Sequence, residues 1–222
     1  MFLIRNITNI TYHLYLDIPI MRYPVQRKVM NKAQEQLHKN KIATMSTKAL
    51  VITAMFTAII CVMSQISIPI QPIPFTLALF AIFLTGAILP PKYAFMAVMA
   101  YILLGAFGLP VFASSKGGIH TLTGMTGGYI MAYPLMAFVT ATFYKFIKKA
   151  KVLALTVGML ASLLLCYLIG TLWFTFAAGT DFYYALTICV FPFILFDLLK
   201  IGLAISISII IRKTGILHGN LN

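Results

Sequence analysis

Hydrophobic positions along this chain gather into long, nearly unbroken runs instead of alternating with polar ones, and short basic or proline-rich breaks separate them. Apolar runs of about 17–25 residues have the length that crosses a bilayer as a helix. They predict six spans, over about 49–68, 73–89, 93–109, 127–147, 152–178 and 192–211. Pro69, Pro72 and Pro74 divide the first span from the second, and Pro90-Pro91-Lys92 ends the second. Pro134 predicts a kink in the fourth. Gly179-Thr180-Asp181 reads as a turn, 182–191 as a short apolar helix or re-entrant piece, and Pro192 as the first residue of the last span.

Two stretches break this pattern. Residues 1–44 are polar and basic, with no run long enough to span, and 25–41 has the character of a polar surface helix. The chain therefore divides into an extension, 1–44, and a membrane domain, 45–222, with Met45-Ser-Thr-Lys48 expected as the true translation start. The second stretch, Gly108 to Tyr129, holds six glycines, two serines and three threonines. A connection this long in a compact protein is uncommon unless it works. It is either a ligand-contacting loop or a hairpin packed between helices, and Phe112 and Tyr129 are either stacking groups or packing at a helix start.

Composition agrees with the runs. Of 222 residues, 61% are hydrophobic and only 9% charged, where soluble domains carry about 25% charged residues. The net charge of +13 would suit nucleic acid, but the positions of the basic residues argue against it. With six spans, fifteen of the seventeen Lys and Arg fall on the side of the two termini, only Lys116 faces the other side, and Lys200 lies within the membrane. The positive-inside rule then makes both termini cytoplasmic. The expected fold is all-α: a multi-pass bundle of six transmembrane helices in a cell membrane, with the lipid bilayer as its surroundings and no nucleic-acid partner.

The last span carries the chemistry. Asp197 is one of only four acidic residues in the chain, and Lys200 follows it by three. An ionisable side chain at the bilayer centre costs about 2.5–3.5 kcal/mol on insertion scales. Spaced three apart on a helix, the two share a face and can neutralise one another. Either they are a pair that holds helices together, or they recognise a polar solute; an intramembrane charge defaults to the second. Counted from Pro192, Asp197 lies about 7–8 Å into the helix, within reach of the glycine-rich loop. Acceptor, donor, loop hydroxyls and apolar walls together describe a small-molecule pocket.

Other chemistries lack their residues. His13, His38, His120 and His218 show no ligand spacing, and Cys61, Cys166 and Cys189 form no CxxC, so neither a metal site nor a cofactor is expected. No GxxxxGK[ST] motif is present, so ATP hydrolysis is not expected of this chain. A membrane enzyme would need clustered acids or histidines, whereas the only acids of the membrane part are Asp197 and Asp181, and its histidines show no ligand spacing. A binding or transport component is expected, with no catalytic residue.

The order Gly-Leu-Pro-Val-Phe112, Gly117-Gly118, Gly124-Met-Thr126-Gly-Gly-Tyr129 and Pro192-Phe-x-x-x-Asp197-x-x-Lys200 resembles the BioY family, biotin-binding S components of energy-coupling-factor (ECF) transporters. The resemblance covers about 46–213. It implies that Asp197 and Lys200 line a biotin site open to the outside, with Ser114, Ser115, Gly118, Thr126 and Tyr129 contributed by the loop, which would act as a lid. The family's usual amide side chain near Ala113-Ser114-Ser115 is absent here, and Met125 stands where it has proline. The resemblance also implies partners: a transmembrane coupling protein, docked through the Ala54-xxx-Ala58 pattern of the first helix, and two ABC-type ATPases. Biotin's ureido ring suits the pair, with its N–H groups donating to Asp197 and Lys200 donating to its carbonyl or to the carboxylate tail. The departures at Ser114 and Met125 leave a second reading, the same architecture carrying a different vitamin.

Overall fold

The computed structural model describes Lys32 and residues 47–70, 73–147 and 150–214. Lys32 apart, the extension, its expected helix over 25–41 and the expected start at Met45 lie outside the described residues. The chain falls into two units, Met1–Met45 and Ser46–Asn222, and the second contains everything below.

Its elements are α1 (Thr47–Gln65), β1 (Ser67–Ile68), β2 (Phe75–Thr76), α2 (Ala78–Ile88), α3 (Pro91–Ala106), a 3-10 turn (Ala113–Ser115), α4 (Ile119–Thr123), α5 (Gly127–Phe146), α6 (Lys151–Ala178), α7 (Phe182–Cys189) and α8 (Ile194–Lys213). Three helices, α1, α6 and α8, are long and apolar enough to cross a membrane, with mean hydropathy 1.9, 2.5 and 2.3. α2 and α3 are apolar but shorter. α5 has 20 residues and runs through Pro134.

α2 is the centre of the bundle. From Ala81 to Ile88 every residue is buried, the mark of a helix surrounded on all sides, and α1, α3, α5 and α8 pack around it. The span expected over 73–89 is shorter at its start, because Phe75 and Thr76 pair antiparallel with Ile68 and Ser67 before the helix begins. The Thr76 hydroxyl accepts from the Ala78 N–H at 3.3 Å, satisfying one of the orphan donors at the helix start. With only eleven residues, α2 leaves room above its amino end, and the candidate site forms there.

The last span also begins later than expected. After α7 the chain is still turning: the N–H groups of Val190 and Phe191 both donate to the Leu186 carbonyl, and Phe193 donates to Val190. Pro192, which has no N–H to give, sits in this turn, and α8 starts at Ile194. Asp197 is therefore in the first turn of its helix, about 5 Å from its start. There the positive end of the helix dipole favours a carboxylate.

The glycine-rich connection has more structure than its composition announces. Ser114 and Ser115 both take positive φ, 57° and 56°, a region non-glycine residues seldom occupy. The surroundings hold them there. The Phe112 N–H donates to the Lys116 carbonyl at 2.9 Å, the Ser114 N–H donates to Ser67 Oγ at 3.1 Å, and Ser115 Oγ donates to Gln65 Oε1 at 3.2 Å. Gln65 Nε2 donates to the carbonyls of Pro110 and Phe112, and Ser64 donates to that of Val111. Further on, the Trp173 indole N–H donates to the Gly124 carbonyl at 2.9 Å, pinning the connection to α6. Beneath it, the Phe112 ring stands edge-on to Tyr101 at 5.5 Å and lies so close to Gly105 that a Cβ there would come within 2.1 Å of the ring.

Candidate functional site

Asp197 and Lys200 are 3% and 5% exposed. Lys200 Nζ donates to Asp197 Oδ1 at 2.8 Å. The second carboxylate oxygen, Oδ2, accepts from the Tyr167 hydroxyl of α6 at 2.6 Å. The ammonium also stands 4.0 Å from the centroid of Phe75 on β2, and that ring meets Phe196 edge-on at 5.2 Å. A cation over a desolvated aromatic face gains about 2 kcal/mol. Three elements, α6, α8 and β2, thus close on one ion pair, and both carboxylate oxygens have a donor. A buried pair keeps its charges only when such hydrogen bonds complete it.

Three cavities surround this point. The smallest, about 50 Å³, contains the charged pair and is walled by Ile73–Thr76, Tyr129, Tyr133, Cys166 and Tyr167, among others. A second, about 80 Å³, shares Ile73, Pro74, Thr76, Tyr129 and Tyr133 with it and continues to Ser64, Tyr101, Ala113, Lys116 and Thr126. The largest, about 530 Å³, lies outside the pair between Ile68, Ile70 and Phe75 on one side and α7 and the start of α8 on the other. Among the described residues, it is lined by no charged side chain. The chemistry is therefore in the small cavities and the volume is in the large one.

The residues singled out by the sequence separate into three groups. Asp197, Lys200, Tyr129 and Thr126 line the two small cavities, with Tyr129 in both. Tyr129 is fixed by its hydroxyl, 3.1 Å from Thr171 Oγ1, and by Gly170, where a Cβ would come within 2.2 Å of its ring. Ser114, Ser115 and Gly118 line neither small cavity. Both serines are exposed and bonded to the end of α1 and to Ser67, while their neighbours Ala113 and Lys116 form the wall. Ala54 and Ala58 are exposed on the outer face of α1, opposite the stripe Ile52, Thr53, Phe56, Thr57, Ile60 that faces the bundle. Sequence reasoning missed Tyr167, Tyr133 and Phe75. A tyrosine amid an otherwise apolar run was the available signal, since a buried phenol needs a partner.

A helical membrane bundle with one buried, hydrogen-bonded charge pair beside pocket volume fits a solute-binding membrane protein. Residues 33–215 match the BioY family, and the chain belongs to that family. It is 41% identical to the "Probable biotin transporter BioY" of Pyrococcus horikoshii, an alignment covering 74% of this chain and 96% of that protein. It is 39% identical to the "Biotin transporter BioY" of Thermotoga maritima, covering 75% and 96%. Among solved structures it resembles the S-component for biotin from an ECF-type ABC transporter, with TM-score 0.72 and 25% identity, covering 81% of this chain and all of the other.

Proposed function

We propose that this chain is the biotin-binding subunit of an ECF-type transporter, taking biotin up across a bacterial plasma membrane without altering it chemically. The observation that carries this reading is the match to an S-component for biotin over that protein's whole length. In it, Asp197 accepts from the ureido N–H groups and Lys200 donates to the ligand, exchanging part of their mutual bond for bonds to biotin. Thr126 and Tyr129 shape the neighbouring wall. Ser114, Ser115 and Gly118 act through the turn they build, which brings Ala113 and Lys116 to the cavity.

The topology that goes with this function is six spans, α1, α2, α3, α5, α6 and α8, with both ends of the membrane domain 45–222 cytoplasmic and 1–44 an extension to it. Its support is the clustering of charge. Arg212 stacks on Tyr144 at 3.9 Å, and Lys151 approaches the same ring at 4.3 Å, so basic residues of α6 and α8 meet at the end away from Asp197. Positive charge collects on the cytoplasmic side. The partners are a transmembrane coupling protein and two ABC-type ATPases. Small residues let helices approach closely, and the exposed Ala54–Ala58 face of α1 is where the coupling protein docks.

Isothermal titration of the purified protein with biotin tests the binding assignment. Saturable one-to-one binding is expected, and a chain that ignores biotin but binds another vitamin would replace the assignment. Uptake of labelled biotin into cells with and without the coupling protein and ATPases tests the assembly. Ala58→Leu is expected to leave binding within about twofold while uptake falls at least about tenfold; unchanged uptake would remove α1 as the docking face.

A further inference from the structure

The charged cavity, at about 50 Å³, has space for one or two water molecules. The outer chamber, at about 530 Å³, lies within the range of small-molecule sites, about 300–1,000 Å³. Among the described residues, its polar side chains are the hydroxyls of Tyr184 and Thr187, and Thr187 already donates to the Tyr183 carbonyl at 3.0 Å. A ligand with a hydrogen-bonding head therefore fits neither space alone. The head needs Asp197 and Lys200, and the body needs the chamber. Two side chains, Phe75 and Phe193, line both spaces and so form the wall between them. Phe193 is 8% exposed and its backbone is anchored in the helix start: its N–H donates to the Val190 carbonyl and its carbonyl accepts from the Asp197 N–H, each at 2.9 Å. Phe75 is half-buried on a strand of two residues, and its ring is held by the Lys200 ammonium and by the edge of Phe196.

We propose that the Phe75 ring is the partition of the site. It covers the ammonium of Lys200 where the ligand's polar head will sit, and its displacement joins the charged cavity to the outer chamber. The joined space takes a ligand with a compact hydrogen-bonding ring and an apolar chain, the ring on Asp197 and Lys200 and the chain along Ile68, Ile188 and Phe196. The partition itself follows from the geometry, and the name of the ligand rests on the biotin reading above.

Cys166 and Cys189 make a test that needs no ligand, because both line the charged cavity and are only 1% and 2% exposed. In a Cys61→Ser background, a small charged methanethiosulfonate reagent labels them only as fast as the cavity opens to water. Removing the ring with Phe75→Ala is expected to speed labelling at least about tenfold, given the strength of a desolvated cation–π contact. Phe75→Leu keeps bulk without the aromatic face and is expected to speed it several-fold, whereas Phe75→Trp keeps both and labels no faster than wild type. A rise with alanine alone also upholds the partition and assigns it to the ring's size. Each variant is compared at matched melting temperature, so that unfolding is not read as opening. Wild-type labelling rates in both the alanine and leucine variants would overturn the proposal. Failure of the wild-type protein to bind biotin would instead remove the ligand's name and leave the labelling result standing. Where biotin binds, its dissociation from Phe75→Ala is expected to be about tenfold faster.

Discussion

At its amino end, α8 holds Asp197 and Lys200 against one another, with Tyr167 and Phe75 as the outer neighbours. At its carboxyl end, Arg212 reaches across the bundle instead. Its guanidinium donates to the carbonyls of Ala87 and Ile88 at the close of α2 and stacks on Tyr144 of α5. The last carbonyls of a helix have no partner within it, so Arg212 joins three helices through groups that would otherwise lack one. Among the described residues, the hydrogen bonds of the Asp197 and Lys200 side chains run to other side chains, and cavities adjoin them. Side chains can turn from one another to a ligand's atoms, whereas the Ala87 and Ile88 carbonyls are fixed in the backbone at the end of α2. One end is built for substitution and the other for permanence.

Breaking the ion pair produces the largest expected effect. Asp197→Asn or Lys200→Ala leaves a buried charge uncompensated, which costs about 3–5 kcal/mol in stability. The same loss of charged hydrogen bonds weakens biotin binding at least about a hundredfold. The double replacement Asp197→Asn with Lys200→Met is expected to recover most of the thermal stability and none of the affinity. Recovery of both, read by melting curves and titration, would make the pair a structural fastener and erase the contrast between the two ends.

Next comes Arg212→Ala. It removes a charged donor shared between two carbonyls and a stacked ring, worth about 2 kcal/mol by the usual strength of hydrogen bonds to charged groups. A lower melting temperature is expected with biotin affinity within about twofold. Affinity falling in step with stability would show the two ends to be coupled.

The residues that could be read from the sequence are those whose physics is local. Asp197 and Lys200 stood out because charge within an apolar run must be satisfied within reach of its own helix. The same logic located the helices: long apolar runs found α1, α6 and α8 within a few residues of their ends. α2 was overextended because Phe75 and Thr76, apolar enough to be helical, are claimed by a pairing with Ser67 and Ile68 that no periodicity announces. Likewise Pro192, a residue suited to start a helix, was recruited into the preceding turn. The glycine-rich stretch advertised an unusual backbone, yet two serines carry positive φ within it, because hydrogen bonds from α1 and Ser67 hold them. The hydrogen bonds of Ser114 and Ser115 run to Ser67 and Gln65, a pairing 47 and 50 residues back in the chain that no local pattern announces. Tyr167 was invisible for a different reason. Its ring belongs to an apolar helix, and the partner of its hydroxyl is 30 residues away.

Tyr167 therefore supplies the smallest and sharpest test of what the amino end of α8 does. Tyr167→Phe deletes one hydroxyl and keeps the ring, so packing between α6 and α8 survives. What is lost is the donor to Oδ2, leaving Lys200 as the remaining donor to the carboxylate among the described residues. Hydrogen bonds to charged groups are worth about 1.5–3 kcal/mol, and a loss at the lower end of that range weakens binding about tenfold. If the phenol orients the carboxylate toward the ligand, titration should register this loss while the melting temperature moves little, since free Oδ2 can accept from water in the adjoining cavity. If the phenol only seals the bundle, the melting temperature should fall and affinity should hold. The second outcome would assign Tyr167 the same kind of role as Arg212 and would shrink the exchangeable end of α8 to Asp197, Lys200 and the ring of Phe75.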